Sequence, residues 1–171
     1  NKNYCSVTID NERAAQELGR RFIQAGAKKP LFIATSPADY TVRLRIRGFQ
    51  RAMEEANIPW TENQILYHVY NAKTAYEKLT ELIQLQDVSF DSIALSTNYY
   101  IYGIFKALRA YQKETIVLGG FEDFNGSDFF FPFFVPSLHY TTTFINMMFA
   151  SYSLSLVHQD MGHGLLSMEK C

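Results

Sequence analysis

The chain has 171 residues, 47% of them apolar, with 14 Phe and 11 Tyr, which is enough for one well-buried domain and short for two. Its 16 Lys and Arg are scattered among 17 Asp and Glu for a formal charge of −1, so it lacks the basic footprint that a phosphate backbone demands, which argues against nucleic-acid binding by this chain alone. Cys5 and Cys171 form neither a CxxC motif nor a disulfide framework, which fits a reducing, cytoplasmic compartment; no apolar run approaches the roughly 20 residues of a membrane span and no signal segment opens the chain.

In chain order, residues 7–9, "VTI", are predicted as a short strand ending at Asp10-Asn11, both good helix caps. Ala15, Leu18, Phe22 and Ile23 recur at helical spacing up to Gly26. "PLFIAT" (30–35) is continuous and apolar, as in a strand covered on both faces. A turn, "SPAD", precedes a helix over 41–56. The alternation continues with a strand at 65–70, a helix carrying Tyr76, Leu79, Leu82 and Ile83, and a strand at 92–96. A helix over 99–111, a strand at 115–121, a Phe-rich loop, a strand at 136–140 and a helix over 143–158 complete the pattern. Such βα alternation predicts an α/β fold, a Rossmann-like, mostly parallel sheet with helices on both faces. Ligands of such sheets bind along the edge formed by the strands' carboxyl ends.

The stretch "RLRIRGF" (43–49) sets arginines at alternate positions. On a helix, where each residue turns about 100°, Arg43, Arg47 and Arg51 share a solvated face, whereas Arg45 falls among Phe49, Ala52, Met53 and Ala56. A strand over 43–47 would put all three arginines on one face; Gly48 and the stripe continuing to Ala56 favour the helix. An inward charge costs several kcal/mol unless paired. The partner of Arg45 is therefore either an acid of the protein, Glu122, Asp123 or Asp39, or a polar group of a ligand.

Four segments resemble the effector-binding region of LacI/GalR-family transcriptional regulators. These are "VTIDNERAAQELGRRFIQAGAKKPLFIAT", "RLRIRGFQRAMEEANI" with its R-x-x-G-aromatic spacing in Arg45, Gly48 and Phe49, "SIALSTNYYIYGIFKALRAY", and "TIVLGGFEDF". They lie in family order over residues 7 to 145. The resemblance implies one lobe of a two-lobed, periplasmic-binding-protein-like type I module that closes on a small molecule. Residues 1–171 would form a single effector-binding domain, mainly the C-terminal lobe, and lack the helix-turn-helix headpiece and most of the first lobe; the start at Asn1 rather than Met fits a piece of something longer.

Carried over by resemblance, Arg45 matches the arginine that binds effector oxygens, a task suited to a planar guanidinium. Glu122 stands where the family has Asp, with Asp123 beside it; Tyr70 matches an aromatic that stacks on the ligand; Asp39 and Thr41 belong to a polar pocket loop. Thr97 and Asn98 replace the family's Asn-Asp, Ala27 its usual His, and His139 stands where Gln is common. These departures keep effector identity from transferring.

His68, His139, His158 and His163 have no metal-ligand spacing, and of these only His139, at a predicted strand end, is a candidate ligand contact. No nucleophile elbow, P-loop or dinucleotide fingerprint occurs, so no catalytic residue, metal or cofactor is expected. The Phe run at 129–134 reads as core, as a lid over the ligand or as a contact patch, with a homodimer surface favoured over plain core. The sequence thus points to the sensor of a LacI-type repressor, not an enzyme, which binds a sugar or sugar phosphate and reaches DNA only through the headpiece, without membrane contact. The alternatives are a sugar-binding protein of a transport system, which an upstream signal peptide would favour, and an α/β enzyme, which turnover would reveal.

Overall fold

Every residue of the runs Pro30–Ile33 and Ser92–Leu95 is buried, as only strands covered on both faces can be. They pair side by side, Leu31 opposite Ile93 and Ile33 opposite Leu95, at the centre of a parallel sheet. The computed structural model describes residues 7–85, 89–113, 116–121, 134–136 and 166–168. In chain order these form β1 (Val7–Ile9), α1 (Asn11–Gln24), β2 (Pro30–Ile33), α2 (Tyr40–Glu55), β3 (Ile65–Leu66), α3 (Ala72–Leu85), β4 (Ser92–Leu95), α4 (Ile101–Ala110), β5 (Val117–Gly120), β6 (Phe134–Pro136) and β7 (Leu166–Met168). Short 3-10 turns occupy Glu62–Gln64 and Asn98–Tyr100. The sheet order is β3-β2-β4-β5-β6 and every neighbouring pair is parallel, the α/β class expected.

Alternating side chains divide the core into two layers. Leu31, Ile33, Ile93, Leu95 and Leu118 pack with Leu79 of α3 and Ile104 and Leu108 of α4. Phe32, Ala34 and Ala94 turn the other way and pack with Leu18 and Phe22 of α1 and Phe49 and Met53 of α2. The route from β2 through α2 leads to β3 on one flank, whereas the routes through α3 and α4 lead to β4 and β5 on the other. Strand order therefore reverses between β2 and β4. Helices leave these two neighbours on opposite faces of the sheet, which opens a crevice at their carboxyl ends.

Local chemistry starts the helices, at Asp10 as the sequence predicts and at Asp39 and Asn71 by caps it does not single out. Asp10 caps α1 by accepting from the Arg13 amide, and Asp39 caps α2 by accepting from the Thr41 and Val42 amides. At α3, Asn71 accepts from the Thr74 amide while the Thr74 hydroxyl accepts from the Asn71 amide, a reciprocal cap. The amino edge of the sheet is closed by fixed contacts. Asp91 accepts from the Lys28 and Lys29 amides at 2.7 and 3.0 Å, and Trp60 and Gln64 both donate to the Pro30 carbonyl.

Several expectations are corrected. β1 does not join the parallel sheet; it pairs antiparallel with β7, Ile9 opposite Leu166 and Val7 opposite Met168. Three residues of β-forming character are compatible with any partner, and this one lies far along the chain. The strand predicted over 65–70 is limited to Ile65–Leu66, because His68 adopts a positive φ of 63°, although the His68 and Val69 amides still bond to Thr35 and Ala34. The strand predicted at 136–140 is observed at Phe134–Pro136. Residues 137–140, the predicted helix over 143–158 and most of the Phe run lie outside the described residues. Among the described residues, no helix is long and apolar enough to cross a membrane.

Candidate functional site

The residues that leave β2 and β4 at the reversal point form a polar knot. The Ser96 amide donates to the Ile33 carbonyl at 2.9 Å, and the Tyr100 hydroxyl donates to the same oxygen at 2.7 Å while lying 2.8 Å from the Ser96 hydroxyl. Tyr100 is fully buried, because the turn at Asn98–Tyr100 drives its ring back under the sheet edge. The knot thereby locks the two strand ends that flank the crevice.

Arg45 enters this knot from α2. Its Nη1 donates to the Ser96 carbonyl, its Nε donates to Asn11 Oδ1 at 2.9 Å, and its guanidinium carbon lies 4.1 Å from the centre of the Phe121 ring, within range of a cation–π attraction. The half-buried cation is thus held by a side chain of α1, a carbonyl at the end of β4 and an aromatic at the end of β5. Asp39, one of its three expected acid partners, is occupied as the α2 cap. The other two, Glu122 and Asp123, lie outside the described residues, as does His139. The remaining arginines point away from the knot, as their helical phase predicts. Arg43 donates to the Pro37 and Ala38 carbonyls, and Arg47 and Arg51 reach Glu12 at 3.6 and 2.5 Å.

Thr41 lies in the first turn of α2, where its amide donates to the Asp39 cap. Thr97 follows β4, and Asn98 is buried beside β5, close enough that a Cβ on Gly120 would lie 2.6 Å from its Oδ1. Tyr70 is 55% exposed at the end of the β3 segment. Its hydroxyl lies 3.1 Å from His68 Nδ1 and its amide donates to Thr74. Arg45, Asp39, Thr41, Tyr70, Thr97 and Asn98 therefore all belong to carboxyl-end loops or to the helical turns that follow them.

Two residues of the knot carry no signal in the sequence: Asn11 has the look of a helix cap, and Phe121 that of a strand end. His68, expected in a structural or surface role, also belongs to this edge, where its positive φ places the imidazole beside Tyr70. Exposed Tyr40, at 63%, and Tyr99, at 84%, sit in the neighbouring loops. Exposed aromatics therefore gather along one edge. Among the described residues, no three His, Cys, Asp or Glu side chains are placed to hold a metal ion.

Burial pushes the Tyr100 phenol up to about 12, against its hydrogen bonds and the nearby Arg45 charge, which lower it. The fold therefore favours the neutral phenol; that stabilisation is complete below pH 10 and is lost as pH rises toward about 12. In urea unfolding across this window, the wild type should lose up to roughly 1.4 kcal/mol per pH unit from this group. Tyr100→Phe, about 1–2 kcal/mol less stable at neutral pH, should lack that component. Parallel pH profiles of the two proteins would refute it.

No protein-family model and no curated protein matches the chain. Solved structures do. The Escherichia coli transcriptional repressor ascG superimposes with a TM-score of 0.74 at 20% identity, over 92% of this chain and 58% of the repressor. A sugar-binding LacI-family regulator from E. coli, complexed with phosphate, gives 0.74 and 20% over 92% and 57%. A LacI-family regulator from Enterococcus faecium with bound ribose gives 0.66 and 15% over 94% and 62%. At these identities the likeness establishes the fold: over the matched part, the chain is built as these regulators are. It spans between about half and two thirds of their length.

Proposed function

We propose that the chain is the ligand-sensing part of a LacI-type transcriptional regulator, mainly one lobe of its effector module, and that it binds a small polar effector of the sugar or sugar-phosphate class at the crevice between β2 and β4. The observation that carries this reading is the placement of Arg45. A half-buried guanidinium is fixed by Asn11, Ser96 and Phe121 at the point where strand order reverses, which is where sheets of this kind bind ligands. The likeness to regulators determined with phosphate and with ribose supports the ligand class.

Arg45 would pair with ligand oxygens, Tyr70 would stack on the ring, and Asp39, Thr41, Thr97, Asn98, Glu122, Asp123 and His139 would complete the polar lining. In the whole protein, a homodimer in the cytoplasm, the ligand would bias open against closed lobes and so alter DNA binding by a helix-turn-helix segment; only unequal affinity for the two states can do this. The reading assigns no catalytic step.

The test is a thermal-shift screen with ribose, inorganic phosphate, sugars, sugar phosphates, purines and amino acids, run beside Arg45→Ala and Arg45→Lys. A ligand at about 100 times its Kd adds roughly 2.7 kcal/mol, or about 5–10 °C for a domain of this size. The shift is expected for one sugar-class compound, lost in Arg45→Ala and reduced in Arg45→Lys, which retains charge but not the planar pair of donors. A shift that survives in both variants would remove Arg45 from the site, and one produced by a compound of another class would overturn the ligand assignment.

A further inference from the structure

The Asn11 side chain bridges two parts of the molecule. Its Nδ2 donates to the Ile9 carbonyl at 3.0 Å, and its Oδ1 accepts from Arg45 Nε at 2.9 Å. Ile9 O can only accept and Arg45 Nε can only donate, so one orientation of the carboxamide satisfies both. Ile9 is the last residue of β1, which pairs with β7 outside the main sheet. One amide group therefore ties the ribbon to the crevice arginine.

We infer that Asn11 is the positioning residue for Arg45 and couples it to the β1–β7 ribbon, so that a change at either end is felt at the other. The inference rests on the proposed role of Arg45, but the link itself is mechanical. An arginine side chain has many rotamers and must be ordered before it can grip two oxygens. Ser96 and Phe121 hold the plane of the guanidinium, and Asn11 holds its Nε edge. When the ribbon shifts, the Ile9 carbonyl moves, the carboxamide follows or lets go, and the guanidinium loses the restraint on its Nε edge. By linkage, whatever is bound by Arg45 must stabilise the ribbon by the same factor.

The experiment needs no ligand. Amide hydrogen exchange of residues 7–9 and 166–168 and solvent exchange of the Arg45 Nε proton are measured by NMR in wild type, Asn11→Leu, Asn11→Asp, Arg45→Ala and the double variant Asn11→Leu/Arg45→Ala. Asn11→Leu and Arg45→Ala should each speed ribbon exchange by about tenfold, and the double variant should be no faster than either, since coupled residues fail to add. Asn11→Asp retains the acceptor and should preserve slow Nε exchange while the ribbon loosens. Ribbon exchange unchanged in Arg45→Ala, or additive in the double variant, would reduce Asn11 to a local turn contact. Because these readouts use no effector, a failed sugar screen overturns the functional reading and leaves this link to be judged by itself.

Discussion

Phe49→Ala is expected to cost about 3–5 kcal/mol in urea unfolding, the range for emptying a buried aromatic site. The ring is completely buried and is the contact point of three elements. It meets Phe22 of α1 edge-on at 5.6 Å, Phe32 of β2 at 5.3 Å and Trp60, beyond α2, at 5.7 Å. Each ring pair adds about 0.5–1.5 kcal/mol beyond area burial, and the surrounding backbone, tied at Pro30 by Trp60 and Gln64, cannot collapse freely into the void. Phe49→Leu retains much of the volume but not the ring contacts and should fall between. Trp60 is the sole tryptophan, so its fluorescence reports this layer directly. A loss below about 1 kcal/mol for Phe49→Ala would mean that the layer repacks around the gap, unlike the close-packed cores on which the expectation rests.

Much of the architecture is legible in the sequence because it is local. The runs at 30–33 and 92–95 are apolar at nearly every position, and a strand with that composition must be covered twice. Helical phase alone isolates Arg45 from Arg43, Arg47 and Arg51, because only a 3.6-residue repeat turns that one side chain inward. The illegible features depend on distant partners or on backbone angles. β1 and β7 are three-residue strands whose pairing is decided by where distant parts of the chain meet. His68 halts a ladder that its side-chain type does not forbid, by taking a left-handed conformation. The same backbone turn brings it beside Tyr70, a neighbour that residue type alone does not reveal. Asn11 has the composition of a cap and sits where a cap belongs; its actual role depends on an arginine 34 residues away, and no local rule points there.

Gly48→Ala should be the other severe substitution, and it connects packing to the site. A Cβ at position 48 would overlap the Glu12 carbonyl oxygen and lie 2.7 Å from its carbon and 3.0 Å from the Gln16 amide nitrogen. These are backbone atoms of α1, so no rotamer change relieves the clash and the helices must separate. Overpacking of this kind costs about 1–3 kcal/mol when side chains can shift and more when they cannot, so a loss of about 3 kcal/mol or more is expected. Gly26→Ala is the contrast. Gly26 has a φ of +90° with no neighbouring atom within 4 Å of the added carbon, so only backbone strain of about 1–2 kcal/mol applies. Arg45 and Gly48, three residues apart, lie on the side of α2 that meets α1, and the helix backbone that Gly48 admits begins with Asn11 and Glu12. Pushing α1 away should therefore stretch the Asn11–Arg45 hydrogen bond as well as cost stability. The arginine–glycine spacing is thus one device: the glycine brings α1 close and the arginine uses what arrives. Urea unfolding together with the Arg45 Nε proton signal in Gly48→Ala tests both halves. A destabilised variant whose Nε proton exchanges as slowly as in wild type would separate packing from positioning, and a variant near wild-type stability would show that α1 yields without cost.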